Sequence, residues 1–251
     1  MEIKSYILPV WMFILLTVEI LSPFYQFNQS KLRHGAVNIA AGGISFVLIG
    51  LVFSDVIGEA LNMKVGLAGF IGVNWLKFLI VMLLFDLWMY VWHRINHEVP
   101  FFWKFHKAHH ADTAMDVTTG IRFHPIELLL STIIRIPVYL LLGVDFEIIA
   151  LYELLLTVVV LFHHSNIQLP EFIEKVLSWV IPTPAMHKVH HSDFYKETNS
   201  NYGSVLSIWD RLFGTFNGRY DSEHINIGLA NFRDEKSQTL SGFMLIPFRK
   251  G

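Results

Sequence analysis

A chain of 251 residues is long enough for one domain, but 53% of it is hydrophobic, only 16% is charged and its mean hydropathy is +0.45. These values depart from those of soluble domains and indicate an integral membrane protein. The formal net charge of −2, with no Lys/Arg-rich run, gives nucleic-acid binding no electrostatic support. The absence of cysteine excludes disulfides, zinc–thiolate sites, iron–sulfur clusters and cysteine nucleophiles, so any metal here is held by nitrogen and oxygen.

The apolar runs define the expected elements in order. Lys4 followed by an apolar run has the outline of a signal peptide. No small-residue cleavage site follows, however, and Glu19 and Pro23-Phe24-Tyr25 close the run, so a retained first span over about residues 7–27 is expected. A second span covers about 36–53, where Ala40, Ala41, Gly42 and Gly43 suit close helix packing in lipid. Residues 54–73 carry Asp55, Glu59 and Lys64 and read as an interfacial connector. The third span, about 74–90, continues as helix through His97 and leads into a polar, aromatic, histidine-rich stretch over 98–125. Spans four (126–144) and five (146–162) form a hairpin turning at Gly143-Val144-Asp145, with Arg135 and Pro137 interrupting span four so that it penetrates only partly. The expected architecture is therefore all-α. It is a membrane bundle of about four to five helices with a histidine-rich helical cap, in one domain over 1–251. Within it, residues 1–73 form the N-terminal helices and connector, 74–216 the histidine-motif region and 217–251 the tail.

Charge placement sets the orientation. If the loop with Lys31 and Arg33 is cytoplasmic, then His93, His97, Arg94, Lys104, Lys107 and Arg122 fall on the same side, and so do His124, His164 and His187. All the clusters can then reach one site facing the cytoplasm.

Ten of the thirteen histidines are clustered. His93 and His97 form H-x3-H, His106, His109 and His110 form H-x2-H-H, and His187, His190 and His191 repeat that triplet. Taken alone, the first pair could merely close a span, and the first triplet, beside Lys104 and Lys107, could be a basic surface helix. Together they point to transition-metal chemistry. Residues four apart share a helical face, so His93 and His97 can serve one ion. In H-x2-H-H the first and third rings align, while the middle ring is turned by roughly 100° from its neighbour, so a triplet can feed two ions side by side. Eight imidazoles exceed the four ligands of one tetrahedral zinc and indicate two ions. A nitrogen shell suits iron, zinc, copper or nickel. No H-E-x-x-H is present, and a site mounted against apolar spans suits an apolar substrate whose inert C–H bonds need activated oxygen, which favours iron. His34 and His224 stand alone and read as ordinary. His124, ahead of Pro125 at the start of span four, reads as a ligand or as a group supporting one, with Glu127 placed to orient an imidazole. Asp86, two turns before His93 on the same face, is costly in a span unless paired, and a hydrogen bond supporting the site is the preferred reading. A zinc-dependent membrane enzyme and a histidine-rich metal-binding or transport protein are the competing classes, although transport sites favour broken helices at the bilayer midplane.

Several spaced motifs then carry a resemblance. They are Asp86-x3-Tyr90-x2-His93-x3-His97, Phe105-His106-x2-His109-His110, Arg122-Phe123-His124-Pro125-x-Glu127, His164-Ser165-Asn166 and His187-x2-His190-His191. Asn201-Tyr202-Gly203 and Trp209-Asp210-Arg211-x-Phe213-Gly214-Thr215 close the series. Over about residues 86–216 the chain resembles the fatty acid hydroxylase superfamily in its sterol desaturase branch. The resemblance implies a membrane-embedded, O2-dependent di-iron oxidoreductase that hydroxylates or desaturates a lipid such as a sterol or fatty acyl substrate. It implies ligands at His93, His97, His106, His109, His110, His164, His187, His190 and His191, with His164 preferred to His163 because Ser165-Asn166 follows it. Some relatives carry a further histidine one turn earlier, where Val159 and Val160 stand here, and His124 is a candidate to fill that place. The segment 201–215 is expected to form a lid over the site. No nucleotide fingerprint, iron–sulfur cysteines or haem-domain pattern is present, so electrons are expected from a separate reductase or ferredoxin.

Overall fold

The computed structural model describes residues 2–26, 30–63, 66–143, 145–218 and 225–250, with side chains from Tyr6 onward. The lone His224 and Val144 of the expected hairpin turn lie outside the described residues. The architecture is all-α among these residues, with only two isolated β-bridges.

Helix α1 (Glu2–Leu21) stops earlier than expected because Pro23 disfavours helical conformation at Ser22. The chain beyond it pairs with the end of the bundle, where the Phe24 N–H donates to the Asn166 carbonyl at 3.0 Å and the Gln168 N–H to that of Ser22 at 3.0 Å. Helix α2 (Lys31–Asn62) corrects the expected connector, since it runs unbroken through Ser54, Asp55 and Glu59. Those side chains are exposed, and polarity alone does not end a helix whose backbone bonds are all made. Of the small residues in α2, Ala41 and Gly42 are buried and Gly43 is exposed. A Cβ on Gly42 would lie 2.5 Å from the Ile121 carbonyl oxygen, so only glycine permits that approach.

Helix α3 (Asn74–Glu98) keeps its expected extent and ends where Pro100 forces Val99 into extended conformation. Pro100 opens α4 (Pro100–His110) at a position where its missing N–H costs nothing. Helix α5 (Pro125–Leu142) is not interrupted at Arg135 or Pro137, because one proline removes one backbone bond and the remaining ladder holds. Its 18 residues, at ~1.5 Å each, nearly match a ~30 Å hydrocarbon core. Gly143, left-handed at φ 62°, closes it. Helix α6 (Phe146–His164) carries its last turn into the histidine pair.

By length and composition α2, α3, α5 and α6 can each cross a membrane, whereas the described apolar part of α1, Tyr6–Leu21, is shorter. The protein is thus a multi-pass membrane bundle. Short helices follow: α7 (Glu171–Leu177), α8 (Pro184–His190), α9 (Tyr195–Thr198), α10 (Ile208–Leu212) and α11 (Leu240–Leu245).

The bundle core lies between α3, α5 and α6, where Phe85 stacks on Tyr139 with ring centroids 5.5 Å apart and meets Tyr152 edge-on at 4.7 Å. The tail returns to the bundle. Phe232, Phe243 and Ile246 are buried against Ala41 of α2 and Ala108 and Ala111 at the end of α4. This brings the start of α2, the ends of α3 and α6, all of α4 and α8, and the tail to one end of the bundle.

Candidate metal centre

The nine expected histidines converge at that end in two groups. His93, His97, His106, His110 and His190 form one; His109, His164, His187 and His191 form the other, and within each group one ring nitrogen per residue lies within 4.8 Å of the others. All nine side chains are buried or nearly so. The division follows helix geometry. In each triplet the first and third residues share a face and a group, and the middle residue turns into the other group.

The hydrogen bonds fix how the rings present themselves. Nδ1 of His93 donates to the Tyr202 carbonyl at 2.9 Å and Nδ1 of His190 to the Ser200 carbonyl at 2.7 Å. Nδ1 of His109 donates to the Arg122 carbonyl at 3.1 Å and Nδ1 of His164 to the Val160 carbonyl at 2.8 Å. With their single hydrogen spent outward, these neutral rings turn bare Nε2 atoms inward. His93 Nε2 and His190 Nε2 are then 3.1 Å apart, and so are His109 Nε2 and His164 Nε2. No hydrogen is left to bridge either pair. Facing lone pairs at this distance repel, and a cation between them converts the repulsion into ligation. Each group holds one such pair.

Burial, reinforced by the neighbouring rings, pushes His109, His110, His187, His190 and His191 well below the ordinary imidazole value. These rings are neutral at physiological pH, the state a metal requires. Both nitrogens of His97 and of His191 are buried with no hydrogen-bond partner, as are Nδ1 of His110 and of His187. Such buried groups are costly unless something satisfies them.

The supporting residues differ in part from expectation. Glu127 Oε1 accepts from His106 Nδ1 at 2.7 Å, the orienting carboxylate the spacing suggested. His163 stays out of both groups and stacks on His187 at 4.0 Å between centroids. His124 is not drawn in either. It caps α5, with Nδ1 accepting from the Ile126 N–H at 3.2 Å, and its other nitrogen lies 3.3 Å from the Met244 carbonyl. His124 lies outside both groups of rings. Asp86 touches no imidazole. It accepts from Tyr152 Oη at 2.8 Å, Trp209 Nε1 at 2.7 Å and the Leu206 N–H at 3.1 Å. Its carboxylate thus pins the segment 201–215 to α3, and that segment's Tyr202 carbonyl holds His93. Asp210 folds the same segment, accepting from the Tyr202 and Gly203 N–H groups at 2.7 and 2.8 Å.

Sequence reasoning missed two features. His34, read as ordinary, is buried between Asp112 and Asp116 at 2.9 and 3.1 Å. Trp103 packs against His97 and His110, with centroids 5.0 and 5.4 Å apart, and covers the five-histidine group. The spacing of Asp112 two residues after His110 was the only available hint of the first, and nothing marked the second.

The constellation matches a fatty acid hydroxylase family model over residues 78–215, more than half of the chain. The chain belongs to the fatty acid hydroxylase family. It is 33% identical over 143 residues to the ornithine lipid hydroxylase OlsE of Rhizobium tropici, covering 57% of this chain and 42% of that protein. It is 32% identical over 149 residues to the alkylglycerol monooxygenase of Xenopus tropicalis, covering 57% and 30%. With a cholesterol 25-hydroxylase-like protein of Danio rerio it shares 31% identity over 136 residues, covering 53% of each. The chain therefore spans about half or less of the length of these relatives. No solved structure matches this family member. All nine converging imidazoles and Trp103 lie inside the matched region, whereas His34 lies outside it.

Proposed function

We propose that this chain is a membrane-embedded, O2-dependent di-iron enzyme that oxidises an unactivated C–H bond of a lipid, by hydroxylation or desaturation. The observation that carries this reading is the pair of inward-facing imidazole groups beside a cavity walled by Met89, Trp92, Leu128 and Leu156. His93, His97, His106, His110 and His190 would hold one iron, and His109, His164, His187 and His191 the other. When bound, the metal pair supplies the oxygen activation that no side chain can supply. The relatives' names, which specify hydroxylation and oxygenation of lipids, support the substrate class.

The chain's own residues position and shelter. The four carbonyls and Glu127 lock the ring orientations. Phe123 stacks on His109 at 4.8 Å, and Trp103 and Tyr202 close the five-histidine side, keeping water from the centre. No side chain need act as acid or base. We assign the histidine end to the cytoplasmic face, from the Lys31, Arg33, Lys104 and Lys107 charges gathered there, and the electrons to a separate reductase or ferredoxin.

Metal analysis of the purified protein, with O2 uptake and lipid mass spectrometry in the presence of a reductant, tests the reading. Two irons per chain and a product carrying oxygen or a new double bond are expected. Two zincs with turnover in the absence of O2 would overturn it in favour of a zinc enzyme.

A further inference from the structure

The cavity beside the imidazoles, of about 190 Å³, is far larger than the ~10–15 Å³ that one water needs. It continues away from the histidines to four polar side chains: Ser131 and Arg135 of α5, and Glu153 and Thr157 of α6. Arg135 Nη1 donates to Glu153 Oε1 at 2.7 Å, and Nη2 lies 3.3 Å from Ser131 Oγ. Nε is buried with no acceptor. Two ionised groups inside membrane-crossing helices are expensive and are retained where they face a pathway or a ligand. Tyr139 Oη meets the same pair, donating to Glu153 Oε1 at 3.4 Å.

Along α6, Glu153 lies eleven residues before His164, or ~16 Å at 1.5 Å per residue. Along α5, Arg135 lies eight residues after Glu127, or ~12 Å. Apolar side chains line the interval.

We infer that Arg135 and Glu153 form a subsite for a neutral oxygen function of the substrate, a hydroxyl or a carbonyl, while the apolar end of the same molecule reaches the imidazoles. The ion pair is already neutral, so a hydroxyl or carbonyl oxygen can hydrogen-bond to the cluster of Arg135, Glu153, Ser131 and Thr157 along the cavity without adding charge. A carboxylate or phosphate brought there would face Glu153. The subsite thus acts as a ruler. It selects amphiphiles whose oxygen function lies ~12–16 Å from the oxidised carbon, on the order of ten extended bonds of ~1.5 Å.

This inference rests on the reading of the chain as a lipid enzyme, but its test needs no metal and no turnover. Native mass spectrometry of the metal-free full chain in detergent would compare 1-hexadecanol, methyl hexadecanoate, hexadecanoate and hexadecane. The alcohol and ester should bind at least tenfold more tightly than the hydrocarbon and the carboxylate. Replacing both charges at once, Arg135→Met with Glu153→Leu, avoids stranding one of them. It should bring the alcohol and hydrocarbon within twofold of each other, while cobalt bound per chain stays unchanged. Arg135→Lys keeps the ion pair but loses the planar fork that holds Glu153 and Ser131 together, and should lower the preference about threefold. A preference unchanged in either variant would overturn the subsite, as would tightest binding of hexadecanoate to the natural chain. Loss of O2 chemistry with the preference intact would instead count against the di-iron reading alone.

Discussion

Two buried polar clusters sit side by side at the end of α4, and they are built on opposite rules. In one, His34 lies between Asp112 and Asp116, Thr119 Oγ1 donates to Asp112 at 2.8 Å, and Arg122 Nη1 donates to Asn38 at 2.7 Å with its cation 4.6 Å from the Phe243 ring centroid. Opposite charges meet there, and His34 and both carboxylates find partners within the cluster, although Nε and Nη2 of Arg122 have no hydrogen-bond acceptor. In the other, nine groups of one kind face each other, four of them nitrogen to nitrogen at 3.1 Å without a hydrogen to share. A polar cluster whose charges are opposite holds its elements together by its own attraction. One whose members repel needs a ligand to complete it. The oppositely charged cluster also serves its neighbour, since the Arg122 carbonyl orients His109.

Acid should separate the two most sharply. Burial holds the folded imidazoles of His109, His110, His187, His190 and His191 below their unfolded value near 6.5, so the unfolded state takes up protons first. Their contribution is present above that pH and is lost as pH falls below it, at up to ~1.4 kcal/mol per pH unit and group. Burial alone would raise the Asp112 carboxyl, but His34 and Arg122 beside it hold it far below the carboxylate range. Its contribution is therefore full above about pH 4 and is lost progressively only as pH falls below that value. Thermal unfolding of the metal-free protein should fall steeply between pH 6.5 and 5, whereas Asp112→Asn should lower stability without moving that window. A flat profile over this interval would contradict neutral, buried rings.

Asp112→Ala leaves buried cations without their carboxylate and should cost about 3–5 kcal/mol, read as a lowered unfolding temperature. His190→Ala should do the reverse. Membrane insertion and folding persist, while lipid oxidation falls by more than about a hundredfold and metal per chain drops, since a ligand matters more than the 10–100-fold typical of its supporting partners. Full activity in that variant would remove His190 from the centre. Glu127→Gln retains a weaker acceptor for His106 and should reduce metal affinity or activity about tenfold, measured by competition with a chelator. His124→Ala should lose only a helix cap, about 0.5–1 kcal/mol, with metal content unchanged. A drop in bound metal would return His124 to the centre.

Helix-forming runs and the positions of nine histidines were readable because both are local patterns. An apolar run of helical length and an i, i+4 face need no knowledge of the rest of the chain. The end of α2 was misread because charge was taken as a break, although only proline, glycine or a cap stops backbone hydrogen bonding. Asp86 was read on the face of His93 with a supporting hydrogen bond, but its partners were not legible, because the 201–215 segment that it anchors lies more than a hundred residues away.

By itself, therefore, the sequence determined that rings one and three of each triplet act together while the middle ring turns aside. Only the tertiary structure decided that His190 joins His93 and His97 while His109 joins His187 and His191, that His34 is locked against α4, and that Arg135 meets Glu153 along the cavity. Those pairings depend on how α2, α3, α4, α5, α6 and α8 cross, which packing of side chains distant in sequence sets and no local spacing encodes.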